Sequence, residues 1–192
     1  QYFAKDPIYR KHHHNDITFS LAYAFTEKFM LPLSHDEVVY GKNSLLGRMP
    51  GDEWQRFANL RLLFGYMFTH PGTKLIFQGG EFGQSDEWNF SQSLDWHLLQ
   101  YKPHKGLQGF MKELNTFYKN SPALYEKAFS AEGFEWINYG DYENSVISYI
   151  RRGHDPENDL IVVCNFTSVV RKNYEIGLPR EGKLKQVFNS DF

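Results

Sequence analysis

A histidine and two carboxylates, His35, Asp36 and Glu37, come one residue after the short apolar run from Phe29 to Leu33. The run is typical of a strand buried on both faces, and the charged residues come where that strand ends. In parallel α/β folds the carboxyl ends of the strands carry the chemistry, because side chains there point into a cleft built from the following loops. His35 and Asp36 are therefore the first candidates for catalysis, although such a pair can also cap a turn.

Another carboxylate, Glu81, follows a second apolar run at residues 74–78. Between the two runs, the sequence predicts a helix over residues 51–72, with acidic residues at its start and a His-Pro-Gly stop. A strand, a helix and a strand in this order form a right-handed parallel unit of a barrel or open sheet. Glu81 therefore points towards the same rim as Asp36 if the two strands run parallel.

The rest of the chain divides into a helical and a β-rich part. An amphipathic helix is predicted over residues 106–120, and a shorter one after Asn15 or Asp16. The predicted strands of the second part are 134–139, 145–151, 160–166, 174–178 and 183–189. The fold class is therefore α/β plus all-β, with an α/β part over residues 1–122 and an antiparallel β domain over 123–192. We expect that domain to be incomplete, because no closing strand is apparent.

Composition excludes several classes of function. The chain has 192 residues, 41% of them hydrophobic, which is enough for a sizeable core. A formal net charge of −2 with mixed signs argues against nucleic acid or an anionic membrane as partner and leaves a neutral, hydroxyl-rich ligand compatible. The single cysteine, Cys164, indicates a buried thiol in a cytoplasmic protein. No apolar stretch is long enough to span a bilayer, and the chain, which begins at Gln1, is expected to be part of a longer protein.

Three adjacent histidines, His12 to His14, raise the question of a metal. Consecutive side chains diverge on a loop or a helix, and no acidic or cysteine partner falls at ligand spacing. The sequence therefore predicts no metal site and no cofactor.

Linked motifs run in order through nearly the whole chain. They are Pro32-Leu33-Ser34-His35-Asp36-Glu37-Val38, Arg48-Met49-Pro50-Gly51-Asp52, Phe57-Ala58-Asn59-Leu60-Arg61, Gly79-Gly80-Glu81-Phe82-Gly83-Gln84, Glu87-Trp88-Asn89, Ser93-Leu94-Asp95-Trp96-His97 and Gly133-Phe134-Glu135-Trp136. Together they closely resemble the glycogen (1,4-α-glucan) branching enzymes of the α-amylase superfamily. The resemblance implies that residues 1–122 are the last quarter of a (β/α)8 barrel, with strands seven and eight at 29–33 and 74–78. It also implies that residues 123–192 are part of a C-terminal β-sandwich.

The resemblance implies a transferase that cleaves an α-1,4 linkage, holds the glucan as a covalent ester and passes it to a 6-hydroxyl, forming the α-1,6 branches of glycogen. In this family Asp36 matches the transition-state stabiliser, and His35 matches a residue that donates a hydrogen bond to the same sugar ring. Glu37, Glu81 and Trp88 are candidates for the rim of the glucan cleft, and their alternatives are a cap, a strand-end hydrogen bond and a packed indole, respectively.

The chain departs from the family pattern in one respect. A retaining mechanism needs a nucleophile and an acid/base carboxylate, and in this family they follow barrel strands four and five. The chain contains neither of these two motifs. The expected partners are therefore an α-glucan, glycogen or amylose, and the missing N-terminal part of the same polypeptide, without which the chain should be inactive. Two alternatives stay open: an amylase-like or debranching hydrolase, and a non-catalytic glucan-binding module in the β-rich part.

Overall fold

The computed structural model of the protein describes residues 1–191. Its helices and strands are α1 (Asn15–Thr18), β1 (Met30–Leu33), α2 (Glu53–Thr69), β2 (Thr73–Ile76), α3 (Lys102–Lys119), β3 (Phe134–Asp141), β4 (Val146–Arg151) and β5 (Leu160–Asn165). Short 3-10 turns connect several of them. Within the described residues, no helix has the length and apolar character needed to cross a membrane.

The predicted strand, helix and strand form a parallel unit. β1 pairs with β2 in parallel, in a register that places Met30 opposite Thr73 and Leu33 opposite Ile76, and α2 is the crossover. A capping box begins α2, because the Asp52 carboxylate accepts a hydrogen bond from the Gln55 amide and the Gln55 side chain accepts one from the Asp52 amide. The helix ends before the predicted His-Pro-Gly stop.

The two parallel strands are not buried on both faces, and that expectation is wrong for this structure. Residues along β1 and β2 alternate between exposed and half-buried. Leu31, Leu33 and Ile76 pack against the helical core, whereas Met30 and Leu75 are exposed. The reason is that, within residues 1–191, the helical core packs on only one face of this two-stranded sheet.

The main core lies between α2 and α3. The loop over residues 40–50 is irregular, yet it contributes Leu45, Leu46 and Met49 to that core. α3 begins at Lys102, four residues before the prediction, because Pro103 occupies the first helical turn, where a proline is favourable, and does not end the preceding loop.

The predicted N-terminal helix is reduced to one α-helical turn, α1, followed by a 3-10 turn over Phe19–Ala22. Ile17 is buried, but Phe19 is exposed. No side chain caps the start of α1. A short helix without a cap and with one packed residue has little to stabilise a second turn, so the longer helix was a wrong prediction.

The second part is the antiparallel sheet β3–β4–β5, in which β4 is central and every one of its residues is buried. Three of the predicted β runs are therefore confirmed, with Cys164 buried in β5. The runs at 174–178 and 183–189 do not form strands. A strand needs a hydrogen-bonded neighbour, and the last run instead packs against α3, with the Phe188 ring stacked 5.1 Å from Phe117.

Candidate functional site

His35 and Asp36 lie directly after β1, in a 3-10 turn over His35–Glu37. The turn is closed by hydrogen bonds from the Glu37 amide to the Ser34 carbonyl, 3.1 Å, and from the Val38 amide to the His35 carbonyl, 2.9 Å. The side chains of His35 and Asp36 are 53% and 71% exposed, and Nε2 of the imidazole lies 3.3 Å from the Asp36 Oδ1. An imidazole and a carboxylate are thus held together and open to a ligand at the carboxyl end of the parallel pair.

Two aromatic rings flank the His35 imidazole. Its centroid lies 6.0 Å from the Phe77 ring and 6.0 Å from the Trp88 ring, which it meets edge to face. Phe77 and Trp88 also contact each other, with centroids 5.1 Å apart. Phe77 extends the parallel pairing, because its amide donates to the Leu33 carbonyl at 2.8 Å. Chain segments that follow both strands therefore build the wall behind the imidazole.

Glu37 turns away from its two neighbours to form an ion pair. Its Oε2 accepts a hydrogen bond from the Arg48 guanidinium at 3.0 Å, and both side chains are partly exposed. Arg48 belongs to the loop over residues 40–50, so this pair ties the loop to the turn that carries His35 and Asp36.

The loops over residues 40–50 and 84–95 are bonded to each other. The Asn43 amide donates to the Glu87 carboxylate at 2.6 Å, and the buried Ser44 hydroxyl donates to the Ser85 carbonyl at 2.8 Å. The Trp88 amide donates to the Val38 carbonyl at 2.8 Å. The two loops and the turn after β1 therefore form one connected rim.

Glu81 lies after β2, in a 3-10 turn over Gly80–Phe82. Glycines with positive φ flank the turn, at 89° for Gly79 and 74° for Gly83, a backbone region that favours glycine. The His104 Nδ1–H donates to the Phe82 carbonyl at 2.9 Å and anchors the turn to α3. Glu81 is half-buried, and its carboxylate forms no ion pair with any other residue in the described range.

Sequence reasoning missed a group of buried cations at the carbonyl end of α2. The Arg151 guanidinium donates to the carbonyls of Thr69, Leu124 and Gly133 at 2.6, 3.3 and 3.0 Å, and burial lowers its pKa to about 10. The Lys74 ammonium donates to the carbonyls of His70 and Gly72, and burial lowers its pKa to about 7. One available signal was position, since Arg151 lies on the same face of β4 as Tyr149.

The chemistry open to this site is that of hydroxyl recognition and charge stabilisation. The exposed imidazole can donate a hydrogen bond, and the adjacent carboxylate can stabilise a developing positive charge. In residues 1–191 no group of three or more histidine, cysteine or acidic residues is placed to hold a metal ion. His14 is occupied differently, with Nε2 at 2.8 Å from the Tyr139 carbonyl.

Comparison with known proteins gives two kinds of match. Residues 136–192 match the model of the alpha amylase C-terminal all-beta domain, in agreement with the antiparallel β part. The 1,4-alpha-glucan branching enzyme GlgB of Aquifex aeolicus is 57% identical over 190 residues, covering 99% of this chain and 30% of that protein. The GlgB proteins of Synechococcus elongatus and Rubrobacter xylanophilus are 57% and 53% identical over 99% and 100% of the chain.

The chain spans 24% to 30% of the length of these curated relatives. The identity is continuous over the α/β and the β part, so the motifs around His35 and Glu81 lie inside the matched region. The resemblance to branching enzymes is therefore confirmed.

Proposed function

We propose that this chain, which is 53% to 57% identical over nearly its whole length to 1,4-alpha-glucan branching enzymes, is part of a branching enzyme. The proposed reaction is cleavage of an α-1,4 linkage in a glucan and transfer of the cleaved segment to a 6-hydroxyl, which forms an α-1,6 branch in glycogen. The observation that carries the proposal is the exposed His35–Asp36 pair at the carboxyl end of a parallel strand unit, within a chain of this identity.

Asp36 is proposed as the transition-state stabiliser and His35 as a hydrogen-bond donor to the same sugar ring. Glycosidic cleavage passes through an oxocarbenium-like state, and contacts to ring hydroxyls that strengthen as positive charge develops lower the barrier. A carboxylate held in place by its turn needs little reorganisation when that charge appears. The exposure of both side chains leaves them free to contact a substrate.

Glu37, Glu81 and Trp88 are proposed to line the rim of the glucan cleft. The Glu81 carboxylate forms no ion pair among the described residues, whereas the Glu37 carboxylate is bonded to Arg48. Trp88 presents an indole beside the imidazole. Aromatic faces of this kind suit the apolar face of a sugar ring.

Residues 1–122 are proposed to be the last quarter of a (β/α)8 barrel, with β1 and β2 as its strands seven and eight, and residues 123–192 to belong to a β-sandwich. The parallel β1–α2–β2 unit supports this arrangement. A retaining mechanism needs a nucleophile and an acid/base carboxylate about 5 Å apart, and we propose that another part of the same polypeptide supplies both. A cytoplasmic location is supported by the free thiol of Cys164, whose pKa burial raises to about 12.

The test is to incubate the full-length protein with amylose and to count α-1,6 linkages and reducing ends over time. New α-1,6 linkages without a matching rise in reducing ends are expected. Release of reducing ends without branches would replace the proposal by an amylase-like or debranching hydrolase. The 192-residue chain assayed alone is expected to form no branches, and branching by it would contradict the assignment of the missing carboxylates.

A further inference from the structure

We propose that Trp88 is a positioning residue for His35, a role that rests on the proposed function above. His35 carries its imidazole on an exposed turn, so the side chain has few contacts of its own to select one rotamer. The rings of Trp88 and Phe77, which also contact each other, supply those contacts. A catalytic hydrogen bond depends on such placement, because small displacements of a reacting group can cost about 100-fold in rate.

Trp88 is connected to His35 both through backbone hydrogen bonds and through a contact between the two rings. The Trp88 amide donates to the Val38 carbonyl at 2.8 Å, and the Val38 amide donates to the His35 carbonyl at 2.9 Å. The two rings then meet at 6.0 Å with an interplanar angle of 72°. Trp88 therefore contacts the turn that carries His35 through both its backbone amide and its indole ring.

The loop that carries Trp88 is itself held. Glu87 accepts the Asn43 amide, and the Ser85 carbonyl accepts the buried Ser44 hydroxyl. Phe77, fixed to the end of β1 through its amide, packs against the indole at 5.1 Å. Trp88 therefore differs from an indole on an unsupported loop, because the contacts of its neighbours Ser85 and Glu87 and of Phe77 restrict its position.

The Asp36 carboxylate lies 3.3 Å from Nε2 of the His35 imidazole. Asp36, Phe77 and Trp88 are the groups that surround the imidazole. A substitution of Trp88 removes neither of the two proposed catalytic groups and leaves the Phe77 ring in place.

The experiment is a double-mutant cycle in the full-length enzyme with His35→Gln and Trp88→Leu, alone and together, measured as kcat and KM for branching of amylose. If Trp88 acts through His35, Trp88→Leu lowers kcat about 10- to 100-fold with little change in KM. In the His35→Gln background the same change then has no further effect. Trp88→Phe, which keeps a ring, restores most of the activity. Trp54→Leu, which removes an exposed indole at the start of α2, is the matched control and leaves kcat unchanged.

Independent losses that multiply in the double variant would overturn the proposal and leave Trp88 with no role beyond lining the rim. Full activity of Trp88→Leu would overturn it as well. Because the leucine variant could fail to fold, the His35 ring resonance is also followed by NMR in histidine-labelled protein, with His35→Gln giving the assignment. The resonance is expected to move in Trp88→Phe, and an unmoved resonance would contradict the contact. A wild-type enzyme that forms no branches would instead remove the proposed function, so the two failures are distinguishable.

Discussion

The parallel pair β1–β2 and the antiparallel sheet β3–β4–β5 differ in whether the charged residues at their strand ends are exposed or buried. At the end of β1, His35 and Asp36 are 53% and 71% exposed, and they bond mainly to each other. At the end of β4, Arg151 is 0% exposed, and three backbone carbonyls accept its hydrogen bonds. The same kind of position, a charged residue where a strand ends, thus leaves side chains exposed in one region and stabilises the packing of the fold in the other, and we propose that the exposed pair contacts a ligand.

The helix α2 joins the two regions. Its crossover places β1 beside β2, and its last carbonyls receive the cations of Arg151 and Lys74. Cations at the carboxyl end of a helix are favoured by its dipole, and burial makes each bond count for more. The comparison predicts that substitutions at the first region change turnover and that those at the second change stability.

The largest expected effect is that of Asp36→Asn in the full-length enzyme. Because the carboxylate would stabilise positive charge only in the transition state, kcat is expected to fall by about 100- to 1,000-fold with an unchanged melting temperature. Glu113→Gln on the exposed face of α3 is the control and should change neither. Near-normal turnover of the Asp36 variant would contradict the proposed catalytic role of the first region.

Arg151→Met tests the stabilising side. It leaves the carbonyls of Thr69 and Leu124 without this donor, and the free energy of unfolding is expected to fall by about 3 to 5 kcal/mol. The neighbouring Arg152→Met removes partly exposed ion pairs with Glu135 and Asp159 and should cost about 1 kcal/mol or less. Denaturant unfolding of both variants measures the difference, and equal losses would contradict the buried role.

His70 predicts a pH dependence at the same end of α2. The Pro71 carbonyl can only accept, so His70 Nδ1 carries the proton and Nε2 accepts the Ser20 hydroxyl at 2.9 Å. Burial is the largest cause that lowers the His70 pKa from 6.5 to about 4, and Lys74 and Arg151 lower it further. The unfolded chain therefore binds this proton first as the pH falls, and the folded state loses about 3 kcal/mol between pH 6.5 and 4.

The measurement for His70 is thermal or denaturant unfolding at a series of pH values, with His70→Gln as the non-titrating variant. The wild type is expected to lose stability more steeply than the variant between pH 6.5 and 4 and to run parallel to it above that window. Parallel profiles across the whole range would show that the buried imidazole has no part in acid sensitivity.

The smallest effect is expected at the opposite end of α2, where the cap is local. Asp52→Ala removes the side-chain acceptor of the capping box and should cost about 1 kcal/mol in the free energy of unfolding. Asp52→Ser keeps an acceptor and should stay within a few tenths of the wild type. A loss as large as that of Arg151→Met would show that the two ends of the helix do not differ as proposed.

Local signals made part of this fold predictable. The Asp52 cap and the His-Pro-Gly stop bound α2 in the sequence, and apolar runs that turn into charge marked the ends of both parallel strands. These features depend on residues close together in the chain. The position of His35 and Asp36 followed from the same reasoning.

Features that depend on distant segments could not be predicted. The rings that flank His35 come from Phe77 and Trp88, which a one-dimensional pattern does not relate to it. Likewise, the run at 183–189 has strand-like residues but no partner to pair with, and packing of Phe188 on α3 prevails. Arg151 shows the same limit in part: its place on the face of Tyr149 could indicate burial, but the sequence gives no sign of the carbonyls that surround it.

The hydrogen bond from Arg151 to the last carbonyl of α2 sets a condition for chimaeras of this protein. Exchanging residues 123–192 for the corresponding segment of a relative would transplant β4 and with it the donor for the Thr69 carbonyl. A transplanted segment that lacks an arginine at this position would leave the Thr69 carbonyl of the recipient helix without this donor, even if its own strands pair correctly. An arginine at the position of Arg151 is thus one requirement for compatibility between the two parts of such a chimaera.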